Sequence, residues 1–157
     1  MKAKSKKRMK PTEELYSDGV FGNNSNIDND FRNSLLNHLF YSNIIGIFIV
    51  NTEGVFIDAN DSLLSLIGYT RKELQAGKIT RDSVTAPEYE YLSEYAKRTL
   101  KQGGETGTYE KEYLHKTGRR VPVLIAVSKI SGTKDLGIGF VLDITKRKQA
   151  EVRMKEK

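Results

Sequence analysis

The order of strand and helix patterns along this 157-residue chain predicts an α+β fold, a five-stranded antiparallel sheet with helices on one face. Two strand-like segments come first, several helical segments follow, and three strands come last. Apolar residues that alternate with period two predict the strands, and apolar residues three and four apart predict the helices. One helix before the first strand and one after the fifth would flank the sheet.

The composition is that of one globular domain with tails. Apolar residues make up 38% of the chain, enough for a core, and the length suits one domain rather than two. The chain has no cysteine, which excludes disulfides, thiolate metal ligands and a cysteine nucleophile. No apolar run approaches the roughly 20 residues of a membrane span, and no secretion signal follows the basic N-terminus. We therefore expect a cytoplasmic protein.

The net charge of +6 is concentrated at the two ends of the chain. Residues 1–10 contain six bases and no acid, and residues 146–157 contain six bases and two acids. Residues 11–145 contain 14 bases and 18 acids and are mildly acidic, which argues against a specific nucleic-acid groove. We interpret residues 1–30 as a disordered basic and polar tail, with a short helix at Thr12–Tyr16 as an option.

Turn and cap signals predict the first half of the domain. Apolar residues at helical spacing predict a helix over about residues 31–42. The β-branched run at 45–50, a turn, and a second run at 55–57 predict a hairpin. Asn60 or the next residue would cap the following helix, and Gly68 would end it in the left-handed conformation.

Two Thr-x-x-Glu patterns have the spacing of capping boxes. Thr70 and Glu73 would start one helical turn. Thr85 and Glu88 would start a longer helix, with Pro87 near its first position and a pair of glycines at its end.

The last two predicted strands are apolar on both faces. In residues 121–127 valine and isoleucine alternate with leucine and alanine, so this strand would be covered on both sides. Pro122 cannot donate to a ladder, which indicates an edge or a bulge. Gly137 and Gly139 leave room for a close neighbour, either a ligand or a packed helix.

Six motifs occur in the order and spacing of the PAS domain family, and the chain resembles that family from about residue 33 to residue 151. The motifs are Gly46–Val50 with Gly54, Asp58–Asn60, Ile67–Leu74, Tyr109–Tyr113, Lys116–Gly118 with Val121–Val123, and Asp143–Thr145. Each motif alone is a weak signal, whereas six in the right order are a strong one.

The resemblance implies a sensory or interaction module of bacterial-type signal transduction. Such modules are input domains of histidine kinases in two-component phosphorelays, cyclic-dinucleotide enzymes, chemoreceptors or transcription regulators, and they act through an exit helix. The PAS domain would cover residues 31–145, and residues 146–157 would start the signalling helix. Many members dimerise through the helix before the first strand; here helix 31–42 could do so or cap its own sheet.

Residue chemistry narrows the cofactors that the resemblance implies. The flavin-adduct branch of the family needs a cysteine and is excluded here. The haem-binding branch normally uses a histidine on the long helix, but residues 87–101 contain none, and His38 and His115 lie at the entry helix and a hairpin turn. No cluster of ligands predicts a metal site. Non-covalent flavin, a small acid or an aromatic metabolite stay open.

The resemblance places a small-ligand pocket between the central helices and the sheet. Its expected lining is apolar and aromatic: Ile47, Ile49, Leu63, Ile67, Tyr89, Leu92, Ala96, Leu124, Ala126, Phe140 and Leu142. Glu73 and Lys116 are expected to pair and latch the helices to the sheet. Asp143, Ile144 and Thr145 are expected to transmit the signal, with Asp143 or Thr145 capping the exit helix and Ile144 anchoring it.

No catalytic residue is expected. Glu110 and Glu112 share a strand face but lack a partner nucleophile or metal, so a solvated face is the simpler interpretation. We expect a non-enzymatic module that works as a homodimer or with a signalling effector. The alternatives are a ligand-free dimerisation or docking module whose pocket is packed core, and an N-terminal fragment of a sensor histidine kinase or cyclic-dinucleotide enzyme.

Overall fold

The computed structural model describes residues 29–156. The chain divides after Leu39, so helix α1 (Asn29–Phe40) is described by itself; none of its residues is buried. The tail expected at residues 1–30 and the helix at Thr12–Tyr16 lie largely or wholly outside the described residues.

The remaining part contains the predicted five-stranded antiparallel sheet. Its strands are β1 (Ile45–Asn51), β2 (Phe56–Ala59), β3 (Tyr109–Leu114), β4 (Arg120–Lys129) and β5 (Leu136–Asp143). Their order across the sheet is β2-β1-β5-β4-β3. The last strand therefore lies in the middle, paired with β1 on one side and β4 on the other. The predicted fold class is confirmed.

Short helices connect β2 to β3. They are α2 (Asp61–Ile67), α3 (Arg71–Gln75), α4 (Arg81–Val84), a 3₁₀ turn (Pro87–Tyr89) and α5 (Glu90–Lys101). Helix α6 (Thr145–Lys155) follows β5 directly.

Most of the predicted caps are present. The side chain of Asn60 accepts from the backbone N–H of Leu63 at the start of α2, and Gly68 ends that helix with φ +76°. The Thr70–Glu73 capping box starts α3. Each cap satisfies backbone groups that the helix itself leaves unpaired.

The second predicted capping box, at Thr85 and Glu88, is wrong. A capping box forms earlier, where Thr80 and Ser83 start α4. The turn after it begins without a side-chain cap, because the Thr85 hydroxyl lies inside the domain and accepts a hydrogen bond from the Lys111 ammonium at 2.9 Å.

The core lies between the helices and one face of the sheet. Phe48 and Val50 of β1, and alternate residues of β3, β4 and β5, face side chains from the helices in a single apolar cluster. Two glycines of β5, Gly137 and Gly139, have no side chain and so leave space for side chains of this cluster. A Cβ on Gly139 would overlap the Phe48 ring, and a Cβ on Gly137 would lie 2.8 Å from Cδ2 of Leu100. Packed side chains therefore fill the room that the glycines leave.

Pro122 lies just outside the β4–β5 ladder, which begins at Val123, so its missing N–H is edge-facing on that side, as predicted. It lies within β4, which has neighbours on both sides. Its carbonyl accepts from the N–H of Ile144, just beyond the end of β5. Because N–H and C=O of a strand residue point to the same side, the missing N–H faces the point where the ladder has ended and α6 begins.

Candidate functional site

The prediction of the ligand pocket is wrong for six of its eleven residues, which lie on the other face of the sheet. Residues two apart share a face of a strand, and the core face is set by Phe48, Val127 and Gly139, which lie side by side. The alternate positions consequently point away from the helices. Six expected pocket residues are of this kind: Ile47, Ile49, Leu124, Ala126, Phe140 and Leu142.

The outward residues form an apolar surface instead, which we call the outer sheet face. Phe140 is 42% exposed and Leu142 is 38% exposed. With Ile45, Leu124 and Ala126 they line a shallow cavity of about 180 Å³. Phe140 pairs directly with Ala126 on β4, which is half-buried, and with Ile47 on β1, which is only 4% exposed, so the open part of this face centres on Phe140 and Leu142 of β5.

The other expected pocket residues lie on the helical side. Leu63, Ile67 and Ala96 are fully buried, whereas Tyr89 and Leu92 are half-buried. The rings of Phe48 and Phe56 stack there, with centroids 4.4 Å apart and planes within 2°. This apolar end of the interior is filled by the protein's own side chains.

A second interior region is polar, and Lys111 is its centre. Lys111 alternates with Tyr109 and Tyr113 on the core face of β3 and is only 3% exposed. Its ammonium donates to Thr85, whose hydroxyl also receives a hydrogen bond from Ser93 at 3.4 Å. The ammonium also lies 5.1 Å from the centre of the Tyr113 ring, within the range of a cation–π contact.

Arg81 brings a second buried positive charge to this region. It is 7% exposed and packs over Gly54, where its Nη1 would lie 3.4 Å from a Cβ. Its Nη2 is buried and has no hydrogen-bond partner in the described part of the chain. Burial lowers the pKa of Arg81, but a guanidinium stays charged at neutral pH.

These two cations affect the titration of their neighbours. Burial, with the nearby charge of Arg81, lowers the pKa of Lys111 to about 7, and Asp82 opposes that shift. Burial likewise raises the pKa of Tyr109 to about 12, against the attraction of Arg81.

Sequence reasoning missed both cations. Lys111 could have been found, because it lies between two tyrosines of a strand whose core face they mark. Nothing in the pattern around Arg81 indicates burial; an arginine at the first position of a four-residue helix is normally solvated.

The expected latch pair comes together. Lys116 Nζ lies 2.6 Å from Glu73 Oε2 and 5.6 Å from the centre of the Tyr69 ring. Its backbone N–H donates to the carbonyl of Ile67 at the end of α2. The hydrogen bond from Lys116 is the main cause of the lowered pKa of Glu73. The β3–β4 turn is thereby joined to helices α2 and α3.

The start of the exit helix α6 is fixed by three consecutive residues. Ile144 is 4% exposed, and its N–H donates to Pro122 of β4 at 3.0 Å. The Asp143 carboxylate accepts from the N–H and the hydroxyl of Thr145, at 2.8 and 2.5 Å. Asp143 therefore satisfies the N–H of the first residue of α6 and also accepts from the Thr145 hydroxyl, whereas Ile144 occupies the N-cap position without a side-chain cap hydrogen bond.

Ion pairs hold the first turn of α6 to the sheet. Glu110 of β3 pairs with Arg147 and, at 2.8 Å, with Lys148. The hydrogen bond with Lys148 is the main cause of the lowered pKa of Glu110 and of the raised pKa of Lys148. Glu112, the other acid on this face, lies 3.3 Å from Arg120. We call Glu110, Arg147 and Lys148 the exit-helix clamp.

The histidines and acids of the described residues form no group that could hold a metal ion. His115 packs against Gly68, and its Nδ1 lies 2.9 Å from the hydroxyl of Thr117 in the β3–β4 turn. Between residues 29 and 156 we also find no helix that is both long and apolar enough to cross a membrane.

Known proteins share both the sequence and the fold. Residues 44–146 match the model of a PAS domain family. A hybrid signal transduction protein, dokA of Dictyostelium discoideum, is 41% identical over 116 residues, which are 74% of this chain and 7% of that protein. The sensor histidine kinase TmoS of Ectopseudomonas mendocina is 28% identical over 117 residues, which are 72% of this chain and 12% of that protein.

A solved structure shows the same architecture. The crystal structure of a PAS domain from Colwellia psychrerythraea superimposes with a TM-score of 0.63 at 24% identity, covering 75% of this chain and all of that one. The chain spans about a tenth of the length of the curated relatives quoted above, and those relatives are multidomain signalling proteins. This chain belongs to the PAS domain family and is a signalling input module.

Proposed function

We propose that the domain is a non-enzymatic sensor that passes a change in its sheet to an effector through helix α6. The observation that carries this proposal is the attachment of α6. The helix leaves the central strand β5 without a linker, Ile144 is buried at the junction, and the clamp joins the next turn to β3. A shift of β3 relative to β5 would therefore rotate or release the helix.

The non-enzymatic part of the proposal is supported by the two strand carboxylates. Glu110 is engaged by two cations of α6, and Glu112 faces Arg120. The ion pairs lower the pKa of Glu110, and a carboxylate of lowered pKa is a poor general acid or base at neutral pH.

A chimera tests the transmission step. Residues 40–156 would replace the matching segment of the sensor histidine kinase TmoS, and autophosphorylation would be measured. Glu110→Lys breaks the clamp and should change the basal kinase rate. Adding Arg147→Glu and Lys148→Glu restores opposite charges and should bring the rate back. Glu94→Lys, an exposed charge reversal on α5, is the control. If the autophosphorylation rate is the same in the clamp variants as in the wild-type chimera, the proposal is refuted.

A second candidate function is docking to another copy of the chain or to an effector domain. The outer sheet face favours it, because Phe140 and Leu142 are large apolar side chains left open to solvent, and exposed apolar patches often mark interaction sites. The test is the native mass of the protein. Phe140→Lys should shift an oligomer to monomer, whereas Tyr91→Lys, at a position 65% exposed on α5, should not.

The cytoplasmic location and the choice among non-covalent cofactors expected from the sequence stay predictions.

A further inference from the structure

Lys111 is a buried amine whose surroundings suit its neutral form better than its charged form. It forms no salt bridge with residues 29–156, and buried Arg81 lies near it. A lysine ammonium has three N–H donors, and within the same residues only the Thr85 hydroxyl accepts from that of Lys111. Unpaired charge and unsatisfied donors are costly away from water. Proton uptake at Lys111 therefore strains this part of the interior.

The charged and titratable groups around the two cations come from three elements. They are Asp82 of α4, Glu94 of α5, and Tyr109 and Tyr113 of β3 itself. Burial raises the pKa of both tyrosines, so their phenols stay neutral where Lys111 titrates. Asp82 attracts the ammonium but is exposed to solvent, and burial outweighs it. Val123, the partner of Lys111 on β4, is apolar and offers no acceptor from its side chain.

Thr85 belongs to a short segment that lies along the free edge of β3, the last strand in the sheet order. We call residues 85–89 the edge segment. Thr85 forms an isolated bridge with Tyr113, and the N–H of Ala86 donates to the carbonyl of Glu112 at 3.1 Å. The edge segment is therefore attached to β3 at the same place where Thr85 accepts from the buried amine.

The same part of β3 borders the start of the exit helix. An open cavity of about 320 Å³ is lined by Lys111, by Tyr89 of the edge segment and by Ile144, among others. Glu110, the neighbour of Lys111 on β3, belongs to the exit-helix clamp and pairs with Lys148 at 2.8 Å. A movement of β3 at Lys111 would therefore reach the clamp through the adjacent residue.

We propose that uptake of a proton by Lys111 moves the edge segment away from β3 and loosens the exit-helix clamp, so that the domain responds to pH. This inference rests on the proposed sensory function and names the signal. Water reaches the ammonium when the edge segment opens, so the opened form binds the proton more tightly than the closed form. Opening consequently becomes easier as the pH falls. The effect ends near pH 7, because the closed form is then protonated as well.

Amide hydrogen exchange of the whole chain tests the switch. Each rate is divided by the rate of an unstructured chain at the same pH, so that it reports opening alone. The protection of Ala86 should fall by about tenfold or more from pH 8.5 to pH 6.5 and level off below, and that of Lys148 should fall over the same range. At pH 6.5 Ala86 should exchange faster than Val141 of β5. Equal protection of these two amides would mean that the edge segment opens only when the domain unfolds, which would overturn the proposal.

Variants identify the group that takes up the proton. In Lys111→Met the protection of Ala86 should be the same at both pH values, because the titrating amine is gone. Lys101→Met makes the same change at an exposed position of α5 and should keep the wild-type response. Histidine ordinarily changes charge in this pH range, so the double variant His38→Gln and His115→Gln should also keep it. A response that survives Lys111→Met, or that disappears with the histidines, would contradict the assignment.

The wild-type protein alone gives an independent readout if Lys111→Met does not fold. The protonation of Lys111 is followed by ¹³C NMR of its Cε, and its midpoint should coincide with the pH at which the protection of Ala86 levels off. A midpoint at the ordinary lysine value of 10.5 would overturn the proposal. Failure here leaves the clamp experiment untouched, since that experiment compares clamp variants at one pH.

Discussion

The close approach of Phe48 to Gly139 gives a quantitative test of how the interior is packed. A Cβ at position 139 would lie 2.6 Å from Cε2 of the Phe48 ring, and closer still to Cε1 and Cζ. Carbon atoms pack at about 3.5–4.0 Å, so the ring would have to withdraw by roughly 1.5 Å or more. Phe56, stacked on its other side at 4.4 Å, resists that movement.

Gly139→Ala should therefore destabilise the domain by about 1–3 kcal/mol, the usual cost of overpacking a core. The assay is urea unfolding followed by circular dichroism. Gly104→Ala is the matched control, because its Cβ would make only an ordinary 3.5 Å contact with Thr99, and its effect should stay within about 0.5 kcal/mol.

A double-mutant cycle identifies the cause. Phe48→Leu makes room for the added methyl group, so Gly139→Ala should cost clearly less in that background, with a coupling of about 0.5–3 kcal/mol. If Gly139→Ala is as stable as the wild type, or if the two changes are additive, Phe48 does not cover Gly139. The assignment of inner and outer sheet faces would then be refuted.

Three further predictions follow from single contacts. Between pH 7 and pH 9 the free energy of unfolding should rise with pH by up to about 1 kcal/mol per pH unit, because the unfolded chain binds a proton at Lys111 that the folded chain has lost. The folded pKa of Lys111 is about 7, below its ordinary 10.5. Lys111→Met should flatten this slope, and an unchanged slope would contradict the burial of its amine beside Arg81 and Asp82. Ile144→Ala should cost about 2 kcal/mol or more in urea unfolding, whereas Val152→Ala, at a site 55% exposed, should cost little. Lys116→Glu should destabilise the domain slightly at low salt and less at high salt, and Glu73→Lys in the same chain should restore the loss; an effect independent of salt would speak against the ion pair.

Local signals in the sequence predict much of the fold. The cap at Asn60, the left-handed Gly68 and the Thr70–Glu73 box form as expected because each uses only neighbouring backbone groups. The Thr85 box fails because a tertiary partner, Lys111, takes the hydroxyl. A capping rule considers only neighbouring residues and cannot predict this contact, which joins residues 26 positions apart.

The lining of the pocket could not be predicted, for a different reason. Strands β4 and β5 carry apolar side chains on both faces, so alternation identifies two sets of residues without saying which faces the helices. The choice is settled by Gly139, whose missing side chain admits Phe48. The sequence contains that glycine but does not tell which partner fills its space. The burial of Ile144 and the acceptor role of Asp143, in contrast, were predictable, because an aspartate, an isoleucine and a threonine after an apolar strand combine an acceptor for the first helical N–H with an apolar anchor.

Amide hydrogen exchange at the junction of β5 and α6 tests the central claim, that the exit helix is held by the sheet. The N–H of Ile144 donates to Pro122, and the N–H of Lys148 donates to Ile144, each at 3.0 Å. We expect both amides to be protected to a degree approaching that of Val141 in the central strand, and Glu110→Gln to lower the protection of Lys148 first. If both exchange like an unstructured chain while Val141 stays protected, the helix is not coupled to the sheet and the mechanism is contradicted.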